Sequence, residues 1–344
     1  MANVIEKQKR RLSGIDAVRL LGAFCVILLH INPEGLGTGL EYFRCFSRFA
    51  VPFFFVVAGF FYERSYRSHA DTVKRIVNVL KITVVANLFY FFWALATHQI
   101  PSSIIQFLVE GFSVHLWFLH SMILGYLIIG LIKRFTSNPY KWLGILSFVV
   151  ICMTICFEDF GVLRSQSWAH MVFYAVVRNL WAVAFMYCGM ILAVNEEKLS
   201  AYTDLKTSLL FFIATLVLLV VEIGFHGGAA KALYLQMYMF LPFVVISLFA
   251  VSYNVKDGFG VSLASELGRK YSLFIYLFHM PLIKILSKLF EIVFKTQNRF
   301  EMFSILLAAV VFIFTLLGAV FLDKYINISF NILTGKFRFP RKVE

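Results

Sequence analysis

Ten stretches of this sequence run apolar for the roughly 17–25 residues that cross the hydrocarbon core of a bilayer. They cover about 14–32, 44–62, 76–97, 116–132, 140–157, 174–194, 207–225, 234–253, 271–290 and 303–322. Backbone polar groups in lipid must find partners inside the protein, and a helix satisfies all of its own. The expected fold is an all-α polytopic membrane protein of about ten transmembrane helices. It forms one domain over 1–344, with basic tails at about 1–13 and 324–344. Composition agrees, because 60% of the 344 residues are hydrophobic and 40 are phenylalanine.

The net charge of +13 would in isolation suggest a nucleic-acid partner. Its placement argues against one, because Lys and Arg sit between the apolar runs. The two tails and alternate connections hold 21 of them, and the opposite connections with adjoining span ends hold nine. That bias puts both termini in the cytoplasm. The connections are short, so the chemistry is expected among the helices. Pro101 to Phe112 reads as an interfacial amphipathic helix, and Phe157 to Phe173 as the longest non-cytoplasmic connection. The five cysteines form no CxxC or CxxH pattern and read as packing residues. The basic N-terminus and first apolar run are not read as a signal peptide, because Asp16 and Arg19 interrupt the run.

Within the first span, Ile15 to His30 carries Asp16, Arg19 and His30. On a helix, Arg19 and His30 lie about 16 Å apart along the axis and only about 20° apart around it, with Asp16 about 60° from Arg19. An ionisable group costs about 2.5 kcal/mol or more at the centre of a membrane helix, so such groups usually face an internal cavity. Snorkelling to the two interfaces is the structural alternative for these residues. Arg48 enters the second span close to where the first ends, in SRFAVPFFFVVAGFF, and reads either as a flank or as a cation near His30. Ala58-Gly59 allows close helix approach. His115, Trp117 and His120 open the fourth span. Trp117 suits an interfacial anchor, and the two histidines, about 140° apart on a helix, make a poor pair for one metal. His279 lies within the ninth span, just before the helix-breaking Pro281, and needs a buried partner.

Taken together, these segments resemble acyltransferase family 3, the integral-membrane acyltransferases. The resemblance rests on IDAVR with Arg19-x10-His30, SRFAVPFFFVVAGFF, HLWFLHS and YSLFIYLFHMPLI, in that order, and spans nearly the whole chain. It looks most like the branch of inner-membrane O-acetyltransferases of surface glycans. That branch also holds the membrane part of vancomycin-resistance serine racemases. The resemblance implies a bacterial inner-membrane enzyme using acetyl-CoA or another acyl-CoA as cytoplasmic donor and a hydroxyl of a glycan or lipid-linked sugar as acceptor. His30 and Arg19 fall at positions the family regards as essential. The family often carries R-x-x-R before the third span. Here Lys74-Arg75-Ile76-Val77-Asn78 lacks the second Arg, and Lys74, Arg75 and Lys81 stand as the phosphate-facing cations.

On this reading His30 is the general base. Arg19, oriented by Asp16, binds or braces the donor, while Arg48 or a histidine stabilises the oxyanion. His115, Trp117, His120 and His279 face the acceptor. No metal is expected, and a homo-oligomer is left open. The rival reading is a transporter or flippase, of serine or a glycan precursor, with an unwound ligand site at Pro281.

Overall fold

The computed structural model describes residues 12–31, 38–98, 107, 109–158, 168–256, 258–294 and 301–335. These are helices and turns, without a strand among the described residues. In chain order the helices are α1 (Ser13–His30), α2 (Thr38–Ser47), α3 (Ala50–Ser65), α4 (His69–Thr97), α5 (Trp117–Phe135), α6 (Pro139–Glu158) and α7 (Trp168–Val194). Then follow α8 (Glu196–Tyr202), α9 (Leu205–Phe225), α10 (Ala229–Ala232), α11 (Leu241–Asn254), α12 (Phe259–Phe294), α13 (Glu301–Tyr325) and α14 (Asn327–Leu333). A 3-10 turn, Val114–Leu116, leads into α5. Nine segments among the described residues are long and apolar enough to cross a membrane. The protein is an all-α polytopic membrane protein.

Two expected spans take another form. The second is built from α2 and α3, which meet at a turn through Arg48 and Phe49. The eighth was expected over 234–253, but its helix is only the 14 residues of α11. Hydropathy does not register a helix start inside an apolar run. Here the start is fixed by Pro242 in the first turn and by the buried Glu222 of α9. That carboxylate accepts from the backbone N–H of Met239 at 2.6 Å and of Phe240 at 2.9 Å, an anion where the helix dipole is positive. Most of the segment expected as an interfacial helix, Pro101 to Phe112, lies outside the described residues, as does most of the connection between α6 and α7.

α1 is the hub. It packs along α12 and also meets α3, α11 and α13. Lipid tails are as apolar as leucine, so helices in a bilayer associate through close van der Waals fit rather than through exclusion of water. Gly59 of α3 lies so near α7 that a β-carbon would overlap the Met186 carbonyl, and Gly189 of α7 meets the Val56 carbonyl in the same way. The close approach expected at Ala58-Gly59 is therefore made, and made reciprocally. Gly268 of α12 sits equally tight on the Asp16 carbonyl of α1.

Pro281 does not break its helix. α12 continues through it, although proline supplies no N–H to the carbonyl four residues earlier. That carbonyl belongs to Leu277, and the buried Tyr90 hydroxyl of α4 donates to it at 2.7 Å. A cross-helix bond thus replaces the missing helical one.

Candidate functional site

Three imidazoles converge at the last residue of α1. His30 comes from α1, His115 from the 3-10 turn and His279 from α12. Their ring centroids are 5.2 Å apart for His30–His279, 5.1 Å for His115–His279 and 6.2 Å for His30–His115. His279 donates from Nδ1 to the Tyr276 carbonyl at 2.7 Å, which leaves its buried Nε2 as an unpartnered lone pair. His115 Nδ1 lies 3.0 Å from Ser113 Oγ, and its Nε2 is likewise buried without a partner. Among the described residues no group of three His, Cys, Asp or Glu side chains has the geometry to hold a metal ion.

His30 lines a chamber of about 140 Å³ together with Arg48, His115, Trp117, Arg178 and Gln236. Arg48 donates to the Leu233 carbonyl at 2.9 Å. Arg178 of α7 is paired with Glu110 at 3.0 Å, and its guanidinium lies 4.8 Å from the Trp117 ring centroid. Trp117 is therefore the stacking platform of a buried cation. Arg44, at the end of α2, donates to the Leu29 carbonyl at 2.8 Å, one residue before His30.

The other end of the α1 stripe opens elsewhere. Arg19 lines a second chamber of about 280 Å³, with Arg75, Phe54, Phe61, Met122 and Tyr126 among its walls. Asp16 holds Arg19 through a 3.0 Å ion pair. Arg75 of α4 reaches back to α3, donating to the Phe61 carbonyl at 3.1 Å and to Ser65 Oγ at 2.6 Å. The two chambers share Phe118 and Tyr276, which line both with ring centroids 5.2 Å apart. The Tyr276 hydroxyl donates to the His115 backbone carbonyl, which ties this ring wall to the histidine cluster.

Of the residues singled out from the sequence, His30, Arg48, His115 and Trp117 share the first chamber, with His279 packed behind His30. Arg19 and Arg75 share the second, with Asp16 as the partner of Arg19. Lys74 is exposed. Lys81 and His120 line neither chamber, and His120 Nδ1 bonds the Leu116 carbonyl at 3.1 Å. Sequence reasoning missed Arg178, Gln236, Phe118, Tyr276 and Arg44. Arg178 carried a usable signal, a cation at the start of an apolar run three residues before Trp181. Gln236 carried none, since it joins the site only because the chain turns before α11.

Helices with charged groups turned inward, and a histidine chamber abutting an arginine-lined one, define a membrane-embedded protein with polar chambers inside its helical bundle. The chain belongs to acyltransferase family 3: that family's model, described as an acyltransferase domain, matches residues 12–324. It is similar to a serine/alanine racemase of Enterococcus gallinarum, 27% identical over 268 residues, covering 69% of this chain and 36% of that protein. It is also similar to an amino-acid racemase of Enterococcus faecalis, 25% identical over 312 residues, covering 81% of this chain and 42% of that protein. The chain thus spans less than half the length of these curated relatives. No solved structure matches it.

Proposed function

We propose that this membrane acyltransferase moves an acyl group, acetyl in the first instance, from cytoplasmic acyl-CoA to a hydroxyl of a surface glycan or lipid-linked sugar at the bacterial inner membrane. One observation carries this reading. Arg19 and His30 lie on one stripe of one helix yet open into different chambers that meet at Phe118 and Tyr276. A group-transfer enzyme with two substrates on opposite sides of a membrane needs two such compartments and one place where they touch.

In this reading the CoA phosphates lie against Arg75 and Arg19, whose guanidinium forks suit phosphate, and the apolar walls of that chamber receive the pantetheine arm. The thioester carbonyl reaches the ring wall. His30, as the general base, takes the proton of the acceptor hydroxyl. The acceptor oxygen then bonds to the carbonyl carbon, and the carbon–sulfur bond breaks. The CoA thiolate leaves and takes up the proton. Arg48, held on the Leu233 carbonyl, stabilises the oxyanion that forms between these events. The positively biased termini lie in the cytoplasm, and the chain works as a single domain.

The transport reading drew on Pro281 as a helix break. α12 is continuous there, with Tyr90 holding the freed carbonyl, so that argument for it falls away. The deciding experiment uses membranes bearing the full chain, labelled acetyl-CoA and a glycan extract. Wild-type protein transfers label and is thermally stabilised by CoA. Folded protein that ignores CoA, or His30→Ala protein that transfers label at the wild-type rate, would sink the proposal.

A further inference from the structure

Arg44 and Arg48 sit four residues apart, at the end of α2 and in the turn that follows, a spacing that puts both on one side. Arg48 lines the His30 chamber, and Arg44 is anchored on the carbonyl of the residue before His30. Each guanidinium has five N–H donors, and among the described residues each makes one hydrogen bond, to the Leu29 or the Leu233 carbonyl. The Nε and Nη1 groups of Arg44 are buried without a hydrogen-bond partner. Among the described residues neither arginine forms an ion pair. Two described carboxylates of the neighbourhood are held by other groups. Glu110 pairs with Arg178, and Glu158 accepts from the Tyr174 hydroxyl and the Gln236 backbone N–H. Glu41, three residues before Arg44, is not within ion-pair distance of it among the described contacts.

Two guanidiniums beside one small chamber, with no ion-pair partner among the described residues, are costly in a membrane protein. Arg178, in the same chamber, has a carboxylate, so the absence is particular to Arg44 and Arg48. We infer that these two arginines form a binding site for an anionic group of the acceptor, a phosphate or carboxylate carried close to the hydroxyl that His30 deprotonates. This rests on the proposed function in taking the His30 chamber as the acceptor's. It adds that the acceptor is an acid: a neutral sugar alcohol would leave both cations uncompensated, whereas a phosphate or carboxylate can take a two-pronged bond from each fork.

The test measures thermal stabilisation of the purified full chain by glycerol, glycerol 3-phosphate and lactate, each bearing a hydroxyl and differing in its anion. Wild-type protein should be stabilised by at least one anion and not by glycerol. The preference between the two anions identifies phosphate or carboxylate as the group recognised. Arg48→Gln and Arg44→Gln should each weaken that anion's apparent Kd by about tenfold or more, with Arg48→Lys intermediate. CoA should still stabilise all three variants, which shows that they fold. Stabilisation by glycerol equal to that by the anions overturns the inference. So does stabilisation that survives Arg48→Gln but is lost in Arg75→Gln, since the anion then belongs to the donor chamber. Loss of the CoA effect in wild-type protein would instead strike the acyltransferase reading itself.

Discussion

The two chambers that flank α1 differ in almost every respect except that both contain arginine. The Arg19 chamber is twice as large, about 280 Å³ against 140 Å³, and most of its wall is aromatic and aliphatic. Its two arginines are tied down at their heads, one by Asp16 and the other by Ser65 and the Phe61 carbonyl. The His30 chamber is small and carries the imidazoles of His30 and His115, a stacked and paired Arg178, and Arg48 with donors to spare. On the proposed function, the first would hold a long, mostly apolar donor by its charged end. The second would move a proton and meet charge at short range. A single helix supplies a polar residue to each, so in the proposed function binding and chemistry would be separated along α1.

The sharpest way to test this division is at His30. His30→Ala should lower acyl transfer by about 10²–10⁴-fold, the usual worth of a general base, while CoA still raises the thermal midpoint. Loss of CoA binding in that variant would mean the chambers are not separate in function. Phe118→Ala attacks the wall itself. Removing a buried aromatic ring costs roughly 3–5 kcal/mol of stability. In the variant that survives, acyl-CoA should be hydrolysed by water without an acceptor, seen as free thiol release. No rise in thiol release would deny the ring pair its dividing role. Arg75→Ala should act on the donor side alone. Loss of charge-assisted bonds worth about 1.5–3 kcal/mol raises the donor KM roughly tenfold or more and leaves the acceptor KM unchanged. The smallest effect is expected far from either chamber. Asp204 caps α9 by accepting from the Thr207 N–H at 2.8 Å, and its bonds to Thr207 hold the carboxyl below the usual range. This capping contributes fully above the unfolded-state pKa and is lost as pH falls through the lower folded-state value. Asp204→Ala should therefore lower the thermal midpoint slightly at neutral pH, by an amount that vanishes in acid, with both KM values untouched.

The sequence made the membrane helices legible because lipid demands length and apolarity, and both are local properties. It located the ends of the α1 stripe because helical geometry is fixed over 11 residues. It also drew His115, His120 and His279 toward His30, from the rarity of polar groups inside apolar runs, and of these His115 and His279 meet it. What escaped it depends on tertiary contacts. Arg19 and His30 look like two points on one path until Phe118 and Tyr276, ordinary core aromatics in the sequence, are seen to meet between their chambers. The start of α11 is set by Glu222 on another helix. The helix at Pro281 survives because Tyr90, almost 190 residues away, supplies a donor. Lys74 and Lys81 were natural stand-ins for a missing arginine by spacing, yet neither lines the Arg19 chamber.

The ring wall has an electrical consequence. With the chambers facing opposite sides of the membrane, as proposed, polar space reaches inward from both surfaces, and the low-dielectric layer between them thins to about the width of Phe118 and Tyr276. A potential of 100 mV is worth about 2.3 kcal/mol per elementary charge that crosses it, and nearly all of that drop would fall across these two side chains. The same pair that lets an acyl group pass from thioester to hydroxyl must then insulate the cell against ions. The field it bears would act directly on any charge that develops beside His30 during transfer.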